Sequence, residues 1–271
     1  MGLIVLETIL EVRDLYLSFG GLTALNGVDL KVGKGEILGL VGPNGAGKTC
    51  LLNIISGVYK PDKGAVIFAG KEITGHAPHK APEIGIGRTF QLVELFKSMS
   101  VLDNVLLGCH FKMQGGIFSG GIFWGWGQKE EANFREKAEE VIKFLELERY
   151  RRLPAGELPF GIQKFVGICR ALVMAPKLLL LDEPASGMNR QEKEHLARFL
   201  LRIRYELCIP IVWIEHDMKL ISDLADRIAV FHYGKKIAEG NAEEVMNHPD
   251  VIQAYLGTST ETNPQTQNSL E

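Results

Sequence analysis

The sequence predicts an α/β fold built around a parallel sheet. Three features carry that expectation. The apolar stretch Glu36–Val41 runs into the glycine-rich turn Gly42–Lys48 and then into a helical segment. The wholly apolar run Leu178–Leu181 has the character of a strand buried on both faces, and it ends in two acids, Asp182 and Glu183. Between these regions, residues 91–171 carry apolar side chains mostly at helical spacing.

The elements follow in chain order. Met1–Glu11 is apolar but lacks a basic leader and a small-residue cleavage site, so it reads as a first strand and not as a signal peptide. Strands are expected over Leu10–Leu17, Val28–Val32 and Glu36–Val41, with Gly33-Lys34-Gly35 turning between the last two. A helix over Lys48–Gly57 ends at a glycine suited to a helix terminus. A strand over Ala65–Ala69 lies between Asp62-Lys63-Gly64 and Gly70. Helices are expected over Val101–Gly108 and Glu130–Glu148, the second with Phe134, Ala138, Val141, Ile142 and Leu145 on one face. Gly115–Gly127 is glycine-rich and holds Phe118, Phe123, Trp124 and Trp126, a loop of unusual aromatic weight. After Leu178–Leu181 come a helix over Gln191–Leu207, a strand over Ile211–Ile214, a helix over Met218–Ala225 and a strand over Arg227–Phe231. Thr258–Glu271 is polar, without aromatics, and reads as a disordered tail.

Composition bounds the function. A chain of 271 residues with 46% hydrophobic and 23% charged residues is globular, and a net charge of −3 does not suggest a basic surface for nucleic acid. No apolar run approaches the roughly 20 residues that span a bilayer. The four cysteines, Cys50, Cys109, Cys169 and Cys208, show no zinc or redox spacing, so reduced structural thiols and a cytoplasmic setting are expected.

Gly42-Pro43-Asn44-Gly45-Ala46-Gly47-Lys48-Thr49 fits the pattern G-x-x-x-x-G-K-[ST]. Glycines let successive backbone N–H groups turn toward an anion, and the helix that follows presents its positive end to phosphates. Lys48 is the candidate for the β- and γ-phosphates and the Thr49 hydroxyl for Mg²⁺; Cys50, next in the first helical turn, completes the candidate phosphate-binding stretch. The expected ligand is ATP with Mg²⁺. A GTPase would need N-K-x-D to read guanine, and the sequence has none.

In an open α/β sheet, sites form at the carboxyl ends of strands, which is where Asp182 and Glu183 fall. Asp182 is the candidate Mg²⁺ ligand. Glu183 is the candidate base for the attacking water. With these acids in place, the chain from Leu10 to Gly257 resembles the ATP-binding cassette (ABC) family. The resemblance implies a P-loop NTPase (RecA-like) core over 10–91 and 172–257, with an N-terminal antiparallel β subdomain and an inserted α-helical subdomain over 92–171. It makes Arg88-Thr89-Phe90-Gln91 look like the Q-loop, with Gln91 touching Mg²⁺ and water. Ser186-Gly187-Met188-Asn189 looks like the D-loop, with Asn189 where aspartate is common. Trp213-Ile214-Glu215-His216-Asp217 looks like the switch region, with His216 on the γ-phosphate, and Phe19 matches the aromatic that stacks on adenine. The L-S-G-G-Q signature appears as Leu158-Pro159-Phe160-Gly161-Ile162. Pro159 cannot supply the family's serine hydroxyl. Pro suits a first helical turn, and Gly161 with the helix N-terminus is expected to face the phosphate of a facing subunit through backbone N–H groups.

Pro159-Phe160-Gly161, Ala185-Ser186-Gly187-Met188-Asn189, His216-Asp217-Met218-Lys219 and the ending Asn247–Gly257 are similar to the ATP-binding subunits of bacterial branched-chain amino acid importers, and related urea or short-amide importers share them. This resemblance implies a homodimer, or a heterodimer with a related ATPase subunit, on two transmembrane permease subunits. It also implies a periplasmic binding protein acting indirectly, no nucleic acid partner, and a peripheral position on the cytoplasmic face of the inner membrane. A soluble, non-transport ABC ATPase is the contrasting reading; such chains usually carry two cassettes, a coiled-coil insert or a basic arm, which this sequence lacks.

Overall fold

A computed structural model describes residues 7–89, 94–109 and 126–256. Gln91, Gly115–Gly125 and Thr258–Glu271 lie outside the described residues. Along the chain, β1 (Thr8–Phe19) and β2 (Leu22–Gly33) form a long hairpin, followed by β3 (Ile37–Val41) and α1 (Lys48–Ile55). Next come β4 (Lys63–Phe68), β5 (Lys71–Glu72), α2 (Lys80–Ile84) and β6 (Ile86–Arg88). The helical segment holds α3 (Val101–Leu107), α4 (Trp126–Phe144) and α5 (Phe160–Leu172). The α/β pattern then resumes with β7 (Leu178–Asp182), α6 (Arg190–Glu206), β8 (Ile211–Ile214), α7 (Met218–Leu224), β9 (Arg227–His232), β10 (Lys235–Gly240), α8 (Ala242–Met246) and α9 (Pro249–Leu256).

Two sheets result. An antiparallel sheet has the order β2-β1-β4-β5. A second has the order β10-β9-β3-β8-β7-β6, parallel from β9 to β6 with β10 antiparallel at the edge. The parallel strands are apolar on both faces because both faces are covered. Leu178, Leu180, Val212, Ile214, Leu38 and Leu40 pack toward α1 and the antiparallel sheet. Leu179, Leu181, Ile211, Trp213 and Ile37 pack toward the helices. The all-leucine run of β7 is thus divided residue by residue between two cores.

Several expectations shift. The hairpin strands are longer than Leu10–Leu17 and Val28–Val32, because repeated register irregularities and a left-handed Gly27 hide the alternation. The helix expected over Glu130–Glu148 runs instead over Trp126–Phe144. It starts earlier because Gln128, Lys129 and Glu130 are good helix formers that carry no apolar signal, so Trp126 and Gly127 belong to it and not to the loop. It ends earlier because Glu146 is left-handed at φ 58°, which turns Leu147 back into the core. Pro159 precedes the first helical turn of α5 and does not lie within it. The elements β5, α2, β6, β10 and α8 are too short or too polar to show a period.

Leu180 is fully buried between β7 and the α1 side of the sheet. Leu180→Ala is expected to cost about 2–5 kcal/mol, measured as a lowered urea midpoint. A loss well under 1 kcal/mol would mean that this strand is not buried on both faces.

Candidate active site

The site is built at the carboxyl ends of β3, β7 and β8. All five residues of β3 are buried, and the chain leaves it at Gly42 with φ 142°. A side chain at Gly42 would run into the Phe231 carbonyl of β9, and one at Gly47, φ 101°, into the Ala24 carbonyl of β2. Only glycine closes this turn between two strands. Gly47 offers α1 no side-chain cap, and no acid lies in the first turn of that helix. The loop thus presents an uncapped helix start, the geometry an anion requires. Gly45 faces open space at the tip of the loop.

Lys48 is 5% exposed, and its Nζ donates to the carbonyl oxygens of Gly42 at 2.6 Å and Pro43 at 2.9 Å. Burial holds its ammonium below the ordinary value, opposed by the charges of Glu183 and Asp182. Thr49 Oγ1 donates to Asp182 Oδ1 at 3.5 Å. Burial raises the Asp182 carboxyl, opposed first by Arg88, whose Nη2 lies 3.6 Å from Oδ2. Arg88 also donates from Nη1 to Ser56 Oγ at 2.5 Å, tying β6 to the end of α1. A hydroxyl and a buried carboxylate facing one another form an oxygen-only pair, and that chemistry fits Mg²⁺. Cys50 is half-buried on α1, and burial pushes its thiol up.

Glu183 follows β7 in a left-handed conformation, φ 48°. Its N–H donates to Ile214 O at 3.0 Å, and its Oε1 lies 2.6 Å from Nε2 of His216. His216 is carried by the turn after β8. Its neighbour Glu215 is 4% exposed and accepts from the N–H groups of Ala185 at 2.9 Å and His216 at 3.0 Å. The β7–α6 and β8–α7 turns are therefore bolted together by one buried carboxylate.

The structure thus brings Gly42–Cys50, Asp182, Glu183 and His216 to one edge. Phe19 stands exposed near the tip of the hairpin whose Ala24 touches Gly47, and its ring packs edge-on against Tyr59 at 5.2 Å. Gly161 is not part of this group. It is buried in the first turn of α5, where a side chain would strike the Glu192 carboxylate. Tyr59, Arg88 and Glu215 join the site although the sequence does not single out their side chains. Arg88 and Glu215 lie inside motifs already singled out, but nothing in their spacing showed that they are buried.

The family model for ABC transporters matches residues 25–186. The chain belongs to this family. Nucleotide binding and ATPase activity come with that membership. A second family model, for branched-chain amino acid ATP-binding cassette transporters, matches residues 235–260. The cassette is 38% identical to the high-affinity branched-chain amino acid transport ATP-binding protein BraF of Pseudomonas aeruginosa, over 92% of this chain and 98% of that one. It is also similar to an ATP-binding cassette of an ABC transporter solved in its ADP conformation, with TM-score 0.80, 34% identity, and 92% and 99% of the two chains covered. A bacterial ABC transporter cassette solved as a dimer gives TM-score 0.72 at 27% identity, over 86% of this chain and 99% of that one. Among the described residues of the cassette, no helix is long and apolar enough to cross a membrane.

Burial raises the Glu215 carboxyl above its ordinary 4.5. Across the interval above 4.5, the folded cassette keeps a proton that the unfolded chain releases, so this group's contribution to stability falls as pH rises. Glu215→Gln is expected to lose some stability at every pH, since one acceptor is gone, and to show a shallower decline of the urea midpoint from pH 4.5 toward neutrality. An unchanged slope would refute the assignment.

Proposed function

We propose that this cassette is the ATP-hydrolysing subunit of an importer of branched-chain amino acids. The observation that carries the ATPase half is the Glu183–His216 pair standing at the same sheet edge as the Lys48 cradle. The relatives' names support branched-chain amino acids over urea or short amides as cargo.

In this reading, Lys48 exchanges the carbonyls of Gly42 and Pro43 for the β- and γ-phosphate oxygens of ATP. The N–H groups of Gly45 to Cys50 line the same anion, and Phe19 stacks on the adenine. Thr49 and Asp182 would hold Mg²⁺, with Gln91, and the ion would neutralise charge on the phosphate oxygens. Glu183 acts as the general base. It takes a proton from water as the water oxygen bonds to the γ-phosphorus and the bond to the β–γ bridging oxygen breaks, leaving ADP and phosphate. His216 holds the Glu183 carboxylate in place and turns toward the γ-phosphate. Two cassettes, identical or related, close over two nucleotides, each P-loop facing Gly161 and the α5 start of the other. A dimeric neighbour supports such pairing. Residues 10–91 with 172–257 act as the core, and 92–171 as the arm that passes its motion to two transmembrane permease subunits. A periplasmic binding protein delivers the cargo, and the cassette sits peripherally on the cytoplasmic face of the inner membrane.

Glu183→Gln should retain ATP binding, lose about 10²–10⁴-fold in hydrolysis, and run as an ATP-trapped dimer on size exclusion. Hydrolysis at the wild-type rate would overturn the base assignment. Lys48→Ala should weaken ATP binding about 10–100-fold, the worth of one charge-assisted hydrogen-bonding group, measured by fluorescent-nucleotide displacement. For the cargo, deletion of the gene should abolish uptake of labelled leucine. Loss of urea uptake with leucine uptake intact would move the cassette to the other branch.

A further inference from the structure

Lys164 on α5 is 4% exposed, yet it belongs neither to the phosphate turn nor to the Glu183–His216 pair. Its Nζ donates to two backbone carbonyls, Glu183 O at 3.0 Å and Ser186 O at 2.6 Å, and lies 5.3 Å from the centre of the Phe160 ring. Removing an ammonium from water is costly, and the cost is recovered only through well-placed hydrogen bonds. Here those bonds go to the main chain of the turn that carries the candidate base.

That turn needs holding. Glu183 is left-handed at φ 48°, a conformation that costs a non-glycine residue about 1–3 kcal/mol unless its surroundings enforce it. Its N–H is fixed from β8, on Ile214 O. Its carbonyl is fixed from α5, on Lys164. With both flanking peptides anchored, the side chain leaves the backbone in one direction, and its carboxylate meets His216.

We propose that Lys164 is a positioning residue for the general base: its ammonium locks the Glu183 carbonyl and thereby keeps the carboxylate aimed at the attacking water. The proposal rests on the reading of Glu183 as that base. Lys164 also lies one helical turn beyond Gly161, so a displacement of the α5 start reaches the Glu183 main chain through a single side chain.

The test compares Lys164→Met, which fills the same space without charge or donors, with Lys164→Gln, which keeps two N–H donors. Steady-state ATP hydrolysis and nucleotide affinity are measured on both, and on Glu183→Gln in parallel. Lys164→Met is expected to lower kcat about 10²-fold, the cost of a misplacement on the order of 1 Å, with nucleotide affinity near the wild-type value. Lys164→Gln should recover part of that loss. The double variant Lys164→Met with Glu183→Gln should be no slower than Glu183→Gln alone, because the lysine acts through that carboxylate. Wild-type kcat in Lys164→Met, a parallel loss of affinity, or additive losses in the double variant would overturn the proposal. Should Lys164→Met fail to fold, Lys164→Gln is read alone: reduced kcat at intact affinity supports the proposal, and wild-type kcat overturns it. An active Glu183→Gln sinks the general-base reading itself. An inactive Glu183→Gln beside a fully active Lys164→Met sinks only the role of the lysine.

Discussion

The register of three parallel strands is the constraint on which the rest depends. Ile214 of β8 is level with Leu40 of β3 on one side and with Asp182 of β7 on the other. The loops that leave these strands therefore emerge at one height. One carries the glycine turn and Lys48, one carries Glu183, and one carries Glu215 and His216. A slip of one residue in either pairing would separate them and also reverse every side chain between the two cores. That reversal would be costly, because both faces of these strands are fully buried.

Against this apolar frame, the site accumulates charge that burial opposes. Lys48, Asp182, Arg88, Lys164 and Glu215 are all withdrawn from water, and burial is the largest influence on each. Each is held by hydrogen bonds to loop carbonyls, backbone N–H groups, a hydroxyl or an opposite charge. Lys48 apart, whose carbonyl partners give way to phosphate oxygens, the arrangement holds these polar groups in place before any ligand arrives, and preorganised groups of this kind do not have to reorient during reaction. Removing one partner leaves another buried and unmatched, so these residues act as a connected set.

Much of this was legible in the sequence because the signals were local. The glycine pattern at 42–49 implies a turn and a helix start from backbone sterics alone, and an apolar run ending in Asp182-Glu183 implies a buried strand with acids at its end. Helices with a clear apolar face, such as α6, were found within a residue or two at each end. Polar ends and short edges were not. Residues 128–131 near the start of α4 are all polar in sequence, Glu146 gives no sign of its left-handed turn, and β6 and β10 are too short or too exposed to show a period.

The sequence by itself determined the α/β class, the phosphate turn and the identity of the two strand-end acids, because each follows from neighbours within a few residues. The tertiary structure alone decided which distant groups meet. It put the Arg88 guanidinium beside Asp182, the Glu215 carboxylate across two turns, and the Lys164 ammonium on the carbonyl of Glu183. These contacts join segments that are far apart along the chain, and they depend on strand register and on the docking of α5. No pattern of local spacing encodes either one.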